Sequence, residues 1–219
     1  AGKGSYDELR KLADEGEKDF ARAVALHALW ERGERRFDLV APLLKQALGG
    51  SGRQANEARA MLEGAIGREI DNNAWNSSRV DQLADLGLSL DSRAEFVAMV
   101  RFKRAQARLR SGQKVKEAEA ELQDLGKGNS DVADDALYAL GERRENEGKF
   151  EAALEHYDAL KRFSSQTSNM KSSGESRAAN IRRPYVNLGV SNNELPGVKP
   201  QVSVSFRNVK NAQWTMRKV

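Results

Sequence analysis

The sequence predicts a mainly α-helical protein: an antiparallel helix-pair solenoid followed by a short C-terminal β-hairpin. Three observations carry that expectation. Through most of the first 164 residues apolar side chains recur every three or four positions, the spacing that gathers them on one helix face. Glycines at 33, 112 and 148 each separate two such runs. After position 200 the period drops to two, as Val202, Val204 and Phe206 alternate with Ser203, Ser205 and Arg207, which is the signature of a half-buried strand. Only four prolines in 219 residues, with Ala, Leu, Glu, Lys and Arg abundant, favour helix elsewhere.

Taken in order, helices are expected over 5–15, 17–32, 35–48, 52–70, 78–87, 92–111, 114–125, 131–147 and 150–164. Capping boxes mark several starts, at Ser5-x-x-Glu8, Ser51-x-x-Gln54, Ser78-x-x-Asp81 and Ser92-x-x-Glu95, where a hydroxyl and a carboxylate or amide exchange bonds with orphan backbone N–H groups. Around Gly33 an apolar helix gives way to Phe37, Val40, Leu43 and Leu44, and Pro42 inside this second run is expected to kink or interrupt it. Residues 52–90 fit a repeat poorly, broken at Asp71-Asn-Asn-Ala-Trp75-Asn by turn chemistry. Gly112 recurs at 36 residues before Gly148. A closed helical bundle is the alternative packing.

The sharpest pair spans Asp134–Phe163. Leu137, Leu140 and Gly141 lie on its first helix; Phe150, Ala153, Leu154, Tyr157 and Leu160 lie on the second, with Gly148 at the turn. Leu140-Gly141, Gly148-Lys-Phe150, Ala152-Ala153-Leu154 and Tyr157 resemble a tetratricopeptide repeat, and the likeness extends over about residues 17–164. It departs from the family where Ser164-Ser165 stands in place of the usual proline. The resemblance implies a groove lined by the first helix of each pair, which receives a peptide or a partner's helix. The registers of Gly33, Gly112 and Gly148 would place there His27 and Trp30; Phe102, Gln106 and Arg110; and Tyr138, Glu142, Glu145 and Asn146. The rival reading of Trp30 and Phe102 is inter-helix core. The basic carboxylate-clamp pattern used by some family members is not present in this set.

Residues 1–164 are therefore read as a helical-repeat domain, 165–185 as a linker and 186–219 as a β-hairpin segment, the start of a truncated β-domain. Ser164 to Ser176 is serine-rich and without periodicity, and Ala178 to Pro184 has room for a helical turn. The hairpin is expected to pair the strand at 202–207 with Gln213–Arg217 through a turn at Asn208–Asn211. Such a hairpin is marginal alone, so it continues into a β-domain, docks on the helices or pairs with further β-strands of a partner. Residues 195–219, with Leu195-Pro-Gly, the alternating strand and Arg207-Asn-Val, are similar to the opening strands of bacterial alpha-2-macroglobulin-like proteins. That likeness implies the N-terminal region of a larger secreted or periplasmic protein. The reactive thioester of that family needs a cysteine, and none is present.

The net charge of +4 is split: residues 166–219 carry nine basic and two acidic residues, +7, leaving −3 for the remainder. A basic tail after an acidic body suggests an intramolecular or solubilising role, or an anionic partner. No apolar run approaches the roughly 20 residues needed to span a bilayer. The opening AGKGSYDELR has no signal-peptide core and no initiator Met, so an earlier segment is expected to have been removed. Zero cysteines exclude disulfides and thiolate chemistry, and suit a periplasmic or extracellular setting as well as a cytoplasmic one.

Nothing in the sequence assembles a catalytic or cofactor site. His27 and His156 have no second histidine at helical ligand spacing. The Gly-Lys stretches at 1–5 and 126–130 lack the leading glycine and strand of a phosphate loop. The carboxylates Asp134-Asp135 and Glu117/Glu121 read as solvated helix faces, and Asn76-Ser77-Ser78 as a helix start. Arg101, Lys103, Arg104, Arg108 and Arg110 crowd one helix around Phe102; nucleic-acid or anionic-surface binding is the alternative function they raise, against pairing with Glu117, Glu119 and Glu121. The favoured expectation is a non-enzymatic protein–protein adaptor without cofactors, whose partner is another protein or a peptide.

Overall fold

Among the described residues, each amphipathic run expected from the sequence contains a helix. The computed structural model describes residues 3–15, 20–33, 37–48, 52–164, 168, 170–190, 202–211, 213 and 215. Among these are α1 (Lys3–Glu15), α2 (Phe20–Glu31), α3 (Phe37–Leu48), α4 (Arg53–Asn72), α5 (Ser77–Leu90), α6 (Ala94–Ser111), α7 (Val115–Lys127), α8 (Ala133–Asn146), α9 (Phe150–Ala159) with a 3₁₀ turn at Leu160–Arg162, and α10 (Met170–Arg182), then β1 (Tyr185–Val190) and β2 (Val202–Arg207). The protein is thus mainly helical with a two-stranded C-terminal hairpin. The chain divides into two compact units, Ala1–Ala136 and Leu137–Val219, the division falling inside α8.

In the first unit each helix packs on the next from α1 to α7, and α2 on α4, α3 on α5 and α4 on α6 as well. One core runs through it, built from Leu26 and Leu29 of α2, Val40 and Leu44 of α3, Leu62, Ile66 and Ile70 of α4, Leu83 of α5, and Phe96 and Val100 of α6. Each of these buried apolar side chains contributes about 1.5–3 kcal/mol over leaving it in water. The segment 52–90, irregular in sequence, forms the ordinary helix pair α4–α5. Its break is capped by Asn76, whose side chain accepts from the Arg79 N–H at 3.1 Å.

The glycine turns behave as the sequence requires. Gly112 and Gly148 have φ of +69° and +72°, a region that costs glycine no Cβ clash. At each, the following N–H reaches back to close the helix end, Gln113 to the Arg108 carbonyl at 3.1 Å and Lys149 to the Arg144 carbonyl at 2.8 Å, the Schellman pattern.

The second unit contains the second half of α8, α9, α10 and the hairpin. Its core gathers Leu137, Ala153, Tyr157, Leu160, Ala178 and Ile181. Tyr157 is held between two glycines: a Cβ on Gly141 would come within 2.5 Å of its ring, and one on Gly174 would lie 3.6 Å from it and 2.4 Å from Leu160. Those two positions let α8 and α10 approach α9 closely.

Four expectations are corrected. The capping boxes do not set the helix starts: Ser5 lies inside α1, Asn76 rather than Ser78 caps α5, and at α6 the Asp91 carboxylate accepts from the Arg93 N–H, while Ser51 lies outside the described residues. Pro42 does not interrupt α3; it is exposed beside buried Ala41 and Leu44, and the burial of those neighbours offsets the one backbone bond it forfeits inside the helix. Most of 165–185 is not a structureless linker, since α10 occupies Met170–Arg182. Its buried positions, Gly174, Ala178 and Ile181, are spaced for a helix but too small and few to register as an apolar stripe.

The fourth concerns the hairpin. The strand at 202–207 forms, but it pairs antiparallel with Tyr185–Val190, in a register from Tyr185↔Arg207 to Val190↔Val202, and not with Gln213–Arg217. Of that run Gln213 and Thr215 are described and are not in strand; Trp214, Met216 and Arg217 lie outside the described residues, as does Leu195-Pro-Gly. Val186, Leu188 and Val190 carry the same alternation that marked β2, so the signal for β1 was in the sequence.

Candidate interaction surfaces

Polar side chains stitch α2, α4 and α6 edge to edge. Trp30 of α2 donates its indole N–H to the Glu69 carboxylate of α4, Arg68 of α4 stacks 4.6 Å from the Trp30 ring and pairs with Glu31 at 2.8 Å. From α6, Lys103 donates to Asp71 of α4 at 2.7 Å and Arg110 approaches it at 3.6 Å. The second unit has a matching seam: Arg177 of α10 pairs with Glu142 at 2.7 Å and Glu145 at 3.5 Å, both on α8.

These seams account for most of the residues assigned to a groove by sequence. Trp30 and Phe102 are 8% and 7% exposed, so both contribute to packing. His27 is half-buried 5.5 Å from the Trp30 ring, and its Nε2 is shielded from water with no hydrogen-bond partner. Burial holds its pKa below the ordinary imidazole value, Glu31 opposing and Arg68 adding to the effect. Gln106 is half-buried and Arg110 exposed. On α8, Tyr138 packs 5.8 Å from Tyr157, and Glu145 accepts from the Tyr157 hydroxyl at 2.8 Å. Burial, then the Glu145 hydrogen bond and charge, push that phenol above its usual range. Asn146 ends α8, exposed. The structure brings His27 and Trp30 together, and Tyr138 and Glu145 through Tyr157.

The basic helix α6 is neutralised from its neighbours. Glu121 of α7, only 8% exposed, accepts from Arg101 at 3.2 Å and from Arg104, and lies 3.5 Å from Arg108. Arg101 also reaches Asp124 at 2.7 Å, and Arg108 reaches Asp81 at 2.6 Å. Every cation of the 101–110 cluster thus has a carboxylate. Glu121 is among the expected partners; Asp71, Asp81 and Asp124 were not, because no spacing rule links helices so far apart. The reading of Glu121 and Asp134 as solvated is corrected as well, Asp134 being 6% exposed. Its neighbour Asp135 has a raised pKa through burial, with the Asp134 charge adding.

The hairpin offers the opposite situation. Its pairing places Val186 opposite Phe206 and Leu188 opposite Val204, so these four side chains share one apolar face. Val186 and Leu188 are each 50% exposed, Val204 38% and Phe206 66%. On the other face Arg207 donates to the Asn180 carbonyl of α10 at 2.7 Å, and the Asn208 amide to Ile181. Trp75, in the α4–α5 turn, is 73% exposed.

Among the described residues no helix is long and apolar enough to cross a membrane, and no group of three or more His, Asp or Glu is placed to hold a metal. Comparison with protein-family models, curated proteins and solved structures gives no match.

Proposed function

We propose that the protein is a non-enzymatic interaction scaffold: a tetratricopeptide-like helical stack that presents a β-hairpin to a further β-layer. One observation carries this reading, the unbroken apolar face of Val186, Leu188, Val204 and Phe206 left in water. An exposed patch of this kind marks a contact surface, and a two-stranded sheet gains independent stability only when more strands or another layer join it. The next-but-one packing of α2 on α4 and α4 on α6 supports the stack, in which neighbours bury what no pair buries alone. Of the residues assigned to the groove, Arg110 and Asn146 are the exposed ones. The hairpin in a larger alpha-2-macroglobulin-like protein is one setting in which such a layer would follow. Binding of nucleic acid through 101–110 has less support, since phosphate would have to displace Asp71, Asp81, Glu121 and Asp124 from these cations.

A photo-crosslinking residue tests the reading. Placed at Phe206 it is expected to capture a β-rich partner, while the same residue at Glu117, on an exposed position of α7, captures nothing. Equal capture at the two positions would sink the proposal.

A further inference from the structure

The end of β2, the start of α9 and the end of α10 enclose an open cleft of about 660 Å³ within the second unit. That volume is in the range of ligand sites, roughly 300–1,000 Å³. Phe150, Leu154 and Ile181 give it apolar walls, and Lys149, Arg182 and Arg207 bring positive charge to it. Two of these cations are already matched, Lys149 by Glu147 at 2.9 Å and Arg182 by Asp158 at 2.6 Å. Arg207 is not: among the described residues it has no carboxylate partner. Its guanidinium is fixed by the Asn180 carbonyl and by the Phe150 ring, 4.9 Å away. Its Nε is shielded from water without an acceptor. The neighbouring first turn of α9 has no side-chain cap, so its N–H groups add to the preference for a negative group.

We propose that this cleft docks an acidic–apolar segment of a partner protein, one carboxylate pairing with Arg207 and an adjacent aliphatic side chain lying on Phe150, Leu154 and Ile181. This rests on the scaffold reading above and adds to it a second contact surface with its own chemistry. A fixed guanidinium recognises a carboxylate with geometric as well as electrostatic selectivity. The signs around the rim decide between anionic partners. Glu147, Glu151 and Asp158 stand among the cations, so a polymer with a phosphate at every unit meets repulsion, whereas a peptide with one acidic residue between neutral ones does not.

The probe is the blocked tripeptide acetyl-Leu-Asp-Leu-amide, titrated into the whole chain while the arginine Nε–H and backbone amide resonances are followed by NMR. Saturable shifts are expected at Arg207 and at the amides of Phe150 and Glu151. The Leu-Asn-Leu counterpart, isosteric but neutral, should bind about tenfold more weakly, the difference between a charge-assisted and a neutral hydrogen bond. It needs no variant, so it holds even if Arg207→Gln loosens the hairpin. Arg207→Gln is expected to abolish the preference for Asp, and Arg207→Lys to restore part of it. Equal affinity for both peptides, a preference for Asp that survives Arg207→Gln, or no shifts with either peptide would each overturn the cleft. Capture at Phe206 would be untouched by any of these results, so the scaffold reading stands or falls separately.

Discussion

His27 shows how one side chain registers its surroundings. The fold buries its imidazole against Trp30 with Nε2 unpaired, so the folded-state pKa lies below the unfolded value, near 6.5. The unfolded chain therefore takes up the proton first as pH falls. Its contribution is at its best above about 6.5 and shrinks as pH drops through that value toward the lower folded pKa. The urea midpoint should accordingly decrease between pH 7.5 and 5, and His27→Gln should flatten that part of the profile. An unchanged profile in the variant would assign the effect to another group. Gly141 sets a second residue-scale test. A methyl group there meets the Tyr157 ring at 2.5 Å, so Gly141→Ala should cost about 1–3 kcal/mol through overpacking, despite alanine's better helix propensity. Replacing Tyr157 by Leu in that background should return part of the loss in a thermal melt.

Between elements, the α6–α7 seam depends on a single buried carboxylate. Glu121 faces Arg101, Arg104 and Arg108 together. Glu121→Gln keeps the shape and removes the charge, leaving three arginines with less compensation, and should cost about 2–3 kcal/mol, below the usual range for a broken buried pair because Asp124, Asp85 and Asp81 still face Arg101, Arg104 and Arg108. Denaturant unfolding measures it; a change within ±0.5 kcal/mol would mean that the arginines re-pair at no cost. The helix α10 carries the complementary lesson. Its buried residues are Gly174, Ala178 and Ile181, with Met170 packed beside the same core, too few to read as amphipathic, and what orders it is contact with Tyr157 and Leu160 and the Arg177 ion pairs to α8.

At the scale of the whole molecule, among the described residues one apolar cluster lies within the first unit and another within the second. Leu62 is fully buried in the first, and Leu62→Ala should cost about 3 kcal/mol. Hydrogen exchange should show the loss of protection in α2–α6 while amides of α9 and α10 keep theirs; loss of equal size everywhere would mean that the chain opens as one cooperative unit.

The helices α1 to α9 and their order, the glycine turns and the strand at 202–207 were legible in the sequence because each depends on neighbours a few positions away. Periodicity fixes which face is apolar, and a left-handed turn needs glycine whatever lies beyond it. The tertiary structure alone decided the rest: that Trp30, Glu142 and Glu145 serve seams between helices, that the cations of 101–110 are answered by Asp71, Asp81, Glu121 and Asp124, that α10 forms, and that β2 takes β1 as its partner. Those outcomes depend on which distant side chains burial brings within a few ångströms, and a linear pattern carries no record of that distance.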